Sequence, residues 1–144
     1  MRHGKRYNKS IEKIDNFYNI KSDRTIFFAD DSRFIRKMVQ SLFEKFHLKY
    51  KLFENGQALL DELKETKVDE IALIITDVEM PVLDGVSLLK KIKELEIYEE
   101  INIIVHTNLS NFILEKSLYE LGTSQIIGKI DMRKLSSGIS TYIQ

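Results

Sequence analysis

The residues of this chain best suited to chemistry are three aspartates, a threonine and a lysine: Asp30, Asp31, Asp77, Thr107 and Lys129. Three carboxylates held together repel one another, which raises their pKa values or recruits a cation. A hard divalent cation, Mg²⁺ above all, takes oxygen ligands and keeps waters that phosphoryl oxygens can replace. The lysine and the hydroxyl can bind such oxygens, and an aspartate acting as nucleophile would form an acyl phosphate. The set therefore fits phosphoryl transfer, provided that the fold brings its members together.

Each of these residues also has a structural explanation when it is taken alone. An aspartate pair more often forms a turn or a helix cap, and a threonine after a strand can cap the next turn. A lysine at a strand end is usually solvated, and the run from Asp77 to Pro81 fits an ordinary loop. The functional interpretation thus depends on the elements that position the residues.

From Thr25 onward, apolar runs alternate with amphipathic stretches, which predicts five strand–helix units. The predicted strands span residues 25–29, 50–53, 71–76, 101–105 and 124–128. Polar residues suited to cap the intervening helices are Ser32, Ser110 or Asn111, and Asp131. Right-handed crossovers between such units give an α/β fold, a (βα)₅ doubly wound five-stranded parallel sheet. We predict the flavodoxin-like strand order 2-1-3-4-5, which binds ligands at the carboxyl ends of the strands.

This fold would place all of the reactive residues at one edge of the sheet. Asp30 and Asp31 follow strand 1, Asp77 follows strand 3, and Thr107 and Lys129 belong to the ends of strands 4 and 5. Strands 1 and 3 flank the point where the strand order reverses, so three carboxylates converge in one cleft. Because four strand ends each present a suitable group, the functional interpretation is favoured over the separate structural ones.

The composition indicates one soluble domain and excludes several classes of function. The chain has 144 residues, and its 22 basic residues balance its 22 acidic ones, so no net charge favours nucleic acid or an anionic membrane. The absence of cysteine excludes disulfides, thiolate metal sites and a cysteine nucleophile. No apolar segment suits a signal peptide or a membrane span, which favours a cytoplasmic protein. We expect an N-terminal extension or linker over residues 1–23, with residues 10–20 as a short helix or part of the linker, and one domain over residues 24–144.

Several segments resemble the signatures of response regulator receiver domains of two-component systems. They are Phe28-Ala-Asp-Asp-Ser32, Ile75-Thr-Asp-Val-Glu-Met-Pro81 with Asp84-Gly85, Val105-His-Thr107 and Gly128-Lys129. The resemblance covers residues 24–144 and implies that Asp77 accepts a phosphoryl group from a phosphohistidine on a sensor histidine kinase. It also implies a phosphoacceptor protein rather than an enzyme that turns over a separate substrate.

The same resemblance implies Mg²⁺ as the cofactor, with a ligand set drawn from the motifs. Asp31 would bind the ion directly, and Asp30 mainly through water or a hydrogen bond. Asp77 and the backbone carbonyl of Glu79 would complete the protein ligands.

For the phosphoryl group, the resemblance implies two further partners and also exposes three departures. The Thr107 side chain would move toward the phosphoryl group on activation, and Lys129 would form an ion pair with that group. The family's switch aromatic is replaced by Ile126, and Asn108 stands where a small residue is usual. Ile130 replaces the usual proline after the lysine, so we expect a trans bond there, because a non-proline cis bond costs about 2.5–4 kcal/mol.

Within the family, three segments are similar to the receiver half of the chemotaxis coupling proteins of the CheV type. They are residues 29–33 with Arg36-Lys37, residues 77–80 and residues 106–110. This similarity implies a chemotaxis role, a CheA-like kinase as phosphodonor and a CheW-like adaptor domain upstream. A stand-alone CheY-like protein and the receiver of another regulator are the alternatives.

Other functions are favoured less by the sequence. A non-switching, receiver-like binding module or scaffold is the main alternative, because Ile126 and Ile130 occupy switch positions. A phosphatase of the haloacid dehalogenase type would need Asp-x-Asp on the first strand, where Asp30-Asp31-Ser32 stands instead. DNA binding is favoured least, because the sequence has no basic stripe and no helix-turn-helix.

Overall fold

The computed structural model describes residues 23–109 and 111–143. The helix considered for residues 10–20 and the alternative cap Ser110 lie outside the described residues. The division of the chain at residue 23 therefore stays a prediction. Among the described helices, none is both long enough and apolar enough to cross a membrane.

Five strands alternate with five α-helices along the described residues. The strands are β1 Thr25–Ala29, β2 Tyr50–Phe53, β3 Ile71–Thr76, β4 Ile103–Thr107 and β5 Gln125–Gly128. The helices are α1 Arg33–Lys45, α2 Gly56–Lys64, α3 Gly85–Glu94, α4 Phe112–Glu120 and α5 Met132–Tyr142. Two short 3₁₀ turns, Val68–Glu70 and Glu96–Tyr98, precede β3 and β4.

The strands form one parallel sheet in the order β2-β1-β3-β4-β5, which confirms the predicted topology. Both faces of the sheet are covered by helices, as continuous apolar strands require. One apolar core lies between the sheet and helices α1 and α5, and the other lies under α2, α3 and α4. Each strand supplies residues to both cores, so the sheet is fixed from both sides.

The helix starts follow the predicted capping chemistry. Ser32 and Asp131 cap α1 and α5 by accepting backbone N–H bonds, and Asn111 caps α4 in the same way. β4 begins two residues later than predicted, because the Ile101 N–H donates to the Tyr98 carbonyl at 3.0 Å. That bond turns the chain just before it enters the sheet.

Candidate functional site

The acidic cleft forms where β1 and β3 end side by side. The two strands are paired up to Ala29 and Thr76, and the Asp77 N–H donates to the Ala29 carbonyl at 2.9 Å. The next residues, Asp30 and Asp77, therefore leave the sheet together. The structure thus brings the predicted carboxylates to the carboxyl edge, where the strand order reverses.

Three of the predicted residues fit a divalent cation. One carboxylate oxygen each from Asp30, Asp31 and Asp77 lies within 4.8 Å of the others. Asp30 is fully buried and Asp77 nearly so, whereas Asp31 is exposed. Oxygen donors with concentrated negative charge suit a hard cation such as Mg²⁺, and the exposed side leaves room for water ligands.

Glu79 lies on the open side of this cluster. It lines a cavity of about 580 Å³ together with Asp31, Val78, Met80 and other residues of the loop after β3. The Glu79 side chain is exposed. The segment that carries the Glu79 backbone carbonyl therefore shares a cavity wall with Asp31.

The Lys129 ammonium joins two of the carboxylates. Its Nζ lies 2.7 Å from Asp30 Oδ2 and 2.7 Å from Asp77 Oδ2. Burial raises the pKa of Asp30, an effect that the Lys129 and Ser32 contacts only partly offset. Burial alone would lower the pKa of Lys129, but its hydrogen bonds to the two aspartates outweigh that effect and raise it. Lys129 is therefore the cation that balances the cluster in this structure.

Thr107 is buried at the end of β4 and is tied to the loops on both sides. Its Oγ1 accepts a hydrogen bond from the Leu109 N–H at 3.1 Å. Its carbonyl accepts from the Lys129 N–H at 3.1 Å, which connects the ends of β4 and β5. A movement of the Thr107 side chain would consequently break the hydrogen bond from the Leu109 N–H, which holds the loop that leads into α4.

The bond between Lys129 and Ile130 is cis, so the predicted trans bond is wrong. The prediction considered only the intrinsic preference of a non-proline peptide. It left out the neighbouring contacts, in which Lys129 pairs with two carboxylates and the Asp131 N–H donates to the Gly128 carbonyl at 3.1 Å. Ile130 is exposed, whereas Ile126 is half-buried and packs against the core under α2, α3 and α4.

The Asp84-Gly85 motif holds the loop after β3 against the backbone of Asp77 and Val78. The Gly85 N–H donates to the Val78 carbonyl at 2.8 Å. A Cβ at Gly85 would lie 2.1 Å from the Asp77 carbonyl oxygen, so no larger residue fits without moving the backbone of Asp77. The glycine is thus required by close approach, while Asp84 caps α3.

His106 is a neighbour of the site that sequence reasoning did not single out. It is fully buried beside Phe28, and neither ring nitrogen has a hydrogen-bond partner among the described residues. Burial, reinforced by the Lys129 charge, lowers the pKa of His106 to about 4. The available signal was strand alternation, which turns His106 away from the face that Val105 occupies and into the core under α1 and α5.

Comparison with known proteins identifies relatives of this chain. The family model described as the response regulator receiver domain matches residues 26–139. Chemotaxis protein CheV1 of Helicobacter pylori is 29% identical over 133 residues, which are 91% of this chain and 41% of that protein. Chemotaxis protein CheV2 of the same organism is 33% identical over 93 residues, which are 64% of this chain and 30% of that protein. The chain therefore spans less than half the length of these curated relatives.

The solved structures show the same fold. The receiver domain of Saccharomyces cerevisiae Ssk1, crystallised with the histidine phosphotransfer protein Ypd1, has a TM-score of 0.75 and 21% identity. The match covers 87% of this chain and 92% of that one. At 21% identity this likeness shows a shared fold. Membership of a family is shown by the match to the family model.

Proposed function

This chain belongs to the response regulator receiver domain family, and from that membership we propose that Asp77 accepts a phosphoryl group from a phosphohistidine on a sensor histidine kinase. The observation that carries the proposal is the position of Lys129, whose Nζ lies 2.7 Å from the carboxylates of both Asp77 and Asp30. A fixed cation between two carboxylates is suited to bind the charged phosphoryl oxygens once the transfer has taken place.

The transfer is a substitution at phosphorus. A carboxylate oxygen of Asp77 attacks the phosphorus, the P–N bond breaks, and the imidazole of the donor leaves with the electron pair. The product is an acyl phosphate on Asp77. The Val78 N–H, which donates to Asp77 Oδ1 at 2.7 Å, orients the attacking carboxylate.

For the metal, we assign Asp30, Asp31, Asp77 and the Glu79 backbone carbonyl as the residues that hold Mg²⁺. When bound, the ion neutralises the charge that accumulates between the carboxylates and the incoming phosphoryl group. The clustering of three carboxylate oxygens within 4.8 Å supports the assignment. Asp30 also keeps its bond with Lys129, which fits a ligand that acts mainly through water.

Thr107 and Lys129 are the residues that we expect to bind the phosphoryl group. The Thr107 hydroxyl would donate to a phosphoryl oxygen, and the Lys129 ammonium would shift from Asp77 toward the new charge. Because Thr107 Oγ1 now accepts the Leu109 N–H, its reorientation would change the loop between β4 and α4. Phosphorylation would thus reach the surface through that loop.

A protein donor is favoured by the apolar surface around the cleft. Of the large hydrophobic side chains that the described residues expose, most lie in loops and first helical turns at the carboxyl edge. They are Phe34, Val82, Leu109, Phe112, Ile113 and Ile130. Such a surface is covered when a protein docks over the cleft, whereas a small phosphodonor would leave it in water.

The CheV relatives suggest the pathway. We propose a chemotaxis role, with a CheA-like kinase as donor and a CheW-like adaptor domain preceding the receiver in the whole protein. The similarity to CheV1 over 91% of this chain, within a relative more than twice as long, supports this proposal. Like other receiver domains, the chain would act as a phosphoacceptor and would not turn over a separate substrate.

The test is phosphorylation by phosphoramidate with Mg²⁺, followed by intact mass. We expect one added phosphoryl group in the wild type and none in Asp77→Asn. Asp69→Asn is the matched control, because Asp69 is an exposed carboxylate in the 3₁₀ turn before β3 and should leave phosphorylation intact. Absence of uptake by the wild type, from phosphoramidate and from a CheA-like kinase alike, would reject the proposal.

A second candidate function is a receiver-like scaffold that does not switch. The half-buried Ile126 at the aromatic switch position favours it, because a branched aliphatic side chain is stiff and has less area to move. Amide NMR spectra with Mg²⁺ and beryllofluoride separate the two. Changes confined to the neighbours of Asp77 would support the scaffold, and changes that extend along α4 would support the switch.

A further inference from the structure

Asp31 is the least supported carboxylate of the cluster. Asp30 Oδ1 accepts the Ser32 N–H at 2.8 Å, and Asp77 Oδ1 accepts the Val78 N–H at 2.7 Å. Within the described part of the chain, the exposed Asp31 carboxylate forms no hydrogen bond or ion pair. Its position is therefore set by the backbone that carries it.

Arg36 of helix α1 binds that backbone on both sides of Asp31. Its Nη1 donates to the Asp30 carbonyl at 2.7 Å, and its backbone N–H donates to the Ser32 carbonyl at 3.0 Å. Asp31 is the residue between these two carbonyls. The half-buried, planar guanidinium loses less freedom per hydrogen bond than a lysine would. The guanidinium thus fixes the Asp30 side of the connection from β1 to α1, and the helical backbone bond fixes the Ser32 side.

The contact leaves the carboxylate oxygens available. Lys129 pairs with the carboxylates of Asp30 and Asp77, whereas Arg36 forms no ion pair with a carboxylate of the described residues. Arg36 therefore orders the connection from β1 to α1 without competing for the carboxylate oxygens that a metal would use. Removal of a group that orients a metal ligand typically lowers metal affinity by about tenfold to a hundredfold.

We propose that Arg36 is a positioning residue for the divalent cation, because its guanidinium holds the Asp30 carbonyl so that Asp31, the next residue, stays within reach of the ion. This inference rests on the Mg²⁺ site of the proposed function. It assigns Arg36 no contact with the ion or with the phosphoryl group.

The direction in which Mg²⁺ affinity changes when Arg36 is replaced separates a positioning role from a purely electrostatic one. A cation near a metal site repels the metal, so removal of the Arg36 charge alone would strengthen Mg²⁺ binding. Loss of positioning would weaken it. Calorimetric titration of the full chain with Mg²⁺ alone measures the difference, without any phosphodonor.

We expect Arg36→Met to bind Mg²⁺ about tenfold more weakly than the wild type. Arg36→Lys, which keeps the charge and one donor, should recover part of the affinity. The matched control is Arg33→Met, because Arg33 is an exposed arginine in the first turn of the same helix. That variant should bind Mg²⁺ with an affinity within about twofold of the wild type, since exposed charges interact weakly through water.

Equal or tighter binding by Arg36→Met would overturn the inference and leave the proposed function intact. No Mg²⁺ binding by the wild type would overturn both. Should Arg36→Met fail to fold, Arg36→Lys carries the test, and wild-type affinity in that variant would overturn the inference.

A kinetic measurement distinguishes positioning from a general loss of structure. In phosphorylation by phosphoramidate, Arg36→Met should need more Mg²⁺ for half-maximal rate while it keeps the wild-type rate at saturating Mg²⁺. A lower rate at saturation with an unchanged Mg²⁺ requirement would overturn the inference.

Discussion

At the scale of single residues, charge balance in the cleft depends on Lys129. Asp30 and Asp77 are buried neighbours, and each places one oxygen 2.7 Å from the Lys129 Nζ. A buried carboxylate without a counter-ion is strongly unfavourable, so the lysine and a bound cation share one task. The proposed phosphoryl group on Asp77 would add negative charge at the same point, beside the Lys129 ammonium.

His106 gives the protein a predictable acid sensitivity. Its pKa is lowered to about 4 in the folded state, against 6.5 for an ordinary histidine, through burial and the Lys129 charge, which outweigh the opposite effects of Asp77 and Asp131. The unfolded chain therefore binds a proton first as the pH falls below 6.5. We expect the folded state to lose about 3 kcal/mol of stability from this residue between pH 7 and pH 4.

The measurement is urea unfolding of the wild type and of His106→Leu across this pH range. The leucine variant should lose less stability on acidification, so that the difference between the two proteins changes steadily from pH 6.5 downward. The carboxylates titrate in both proteins, so their contribution cancels in the difference. Parallel stability curves would contradict the prediction.

At the scale of elements, the loop between β3 and α3 contains a strained residue. Val82 has φ 68°, and the Leu83 N–H donates to the Pro81 carbonyl at 2.8 Å across it, which closes a three-residue turn. A β-branched residue is disfavoured in this left-handed conformation. We expect Val82→Asn to raise the free energy of unfolding by about 1 kcal/mol, because asparagine tolerates a positive φ.

Val82→Ala is the control, because it removes the branched side chain but keeps the unfavourable φ for an L-residue with a Cβ. The side chain of Val82 is exposed, so neither substitution loses core packing. Urea denaturation should rank asparagine above alanine and valine. An asparagine variant no more stable than the alanine variant would show that the turn is not strained at this residue.

The loop between β4 and α4 should carry the signal of phosphorylation. In Thr107→Val the Leu109 N–H loses its acceptor, while the side chain keeps its shape. With Mg²⁺ and beryllofluoride, we expect the wild type to show amide NMR shifts over residues 108–113 and the valine variant to show them only around Asp77. Thr107→Ser keeps the hydroxyl and should respond like the wild type; a full response from Thr107→Val would contradict the prediction.

At the scale of the whole molecule, the fold could be predicted because continuous apolar runs, which indicate strands, differ from amphipathic stretches, which indicate helices. The five-residue run of β1 and the six-residue run of β3 are buried throughout, which only a sheet covered on both faces allows. The edge strands β2 and β5 are partly exposed and gave weaker signals. The strand order then followed from the right-handed crossovers and the number of strand–helix units rather than from any single residue.

The positions of the candidate site residues could be predicted where they follow from a strand end, as for Asp77 and Lys129. Backbone geometry could not be predicted in the same way. Neither the cis bond after Lys129 nor the contact of Arg36 with the Asp30 carbonyl, six residues earlier, is determined by residue type alone. The imidazole of His106, which has no hydrogen-bond partner in the described part of the chain, could not be predicted either, because an apolar residue at this position of β4 would fit the same pattern.

Binding of Mg²⁺ in the cleft would also stabilise the whole molecule. A ligand that binds only the folded state stabilises it by RT ln(1 + [L]/Kd), which is about 2.7 kcal/mol at one hundred times Kd. Because the cluster draws on the ends of both β1 and β3, the two central strands of the sheet, Mg²⁺ should oppose global unfolding rather than local fraying. We expect Mg²⁺ to raise the urea midpoint of the wild type and EDTA to reverse the change. Asp31→Asn should lose most of this response while Asp69→Asn keeps it, and an equal response in both variants would place the stabilising ion elsewhere.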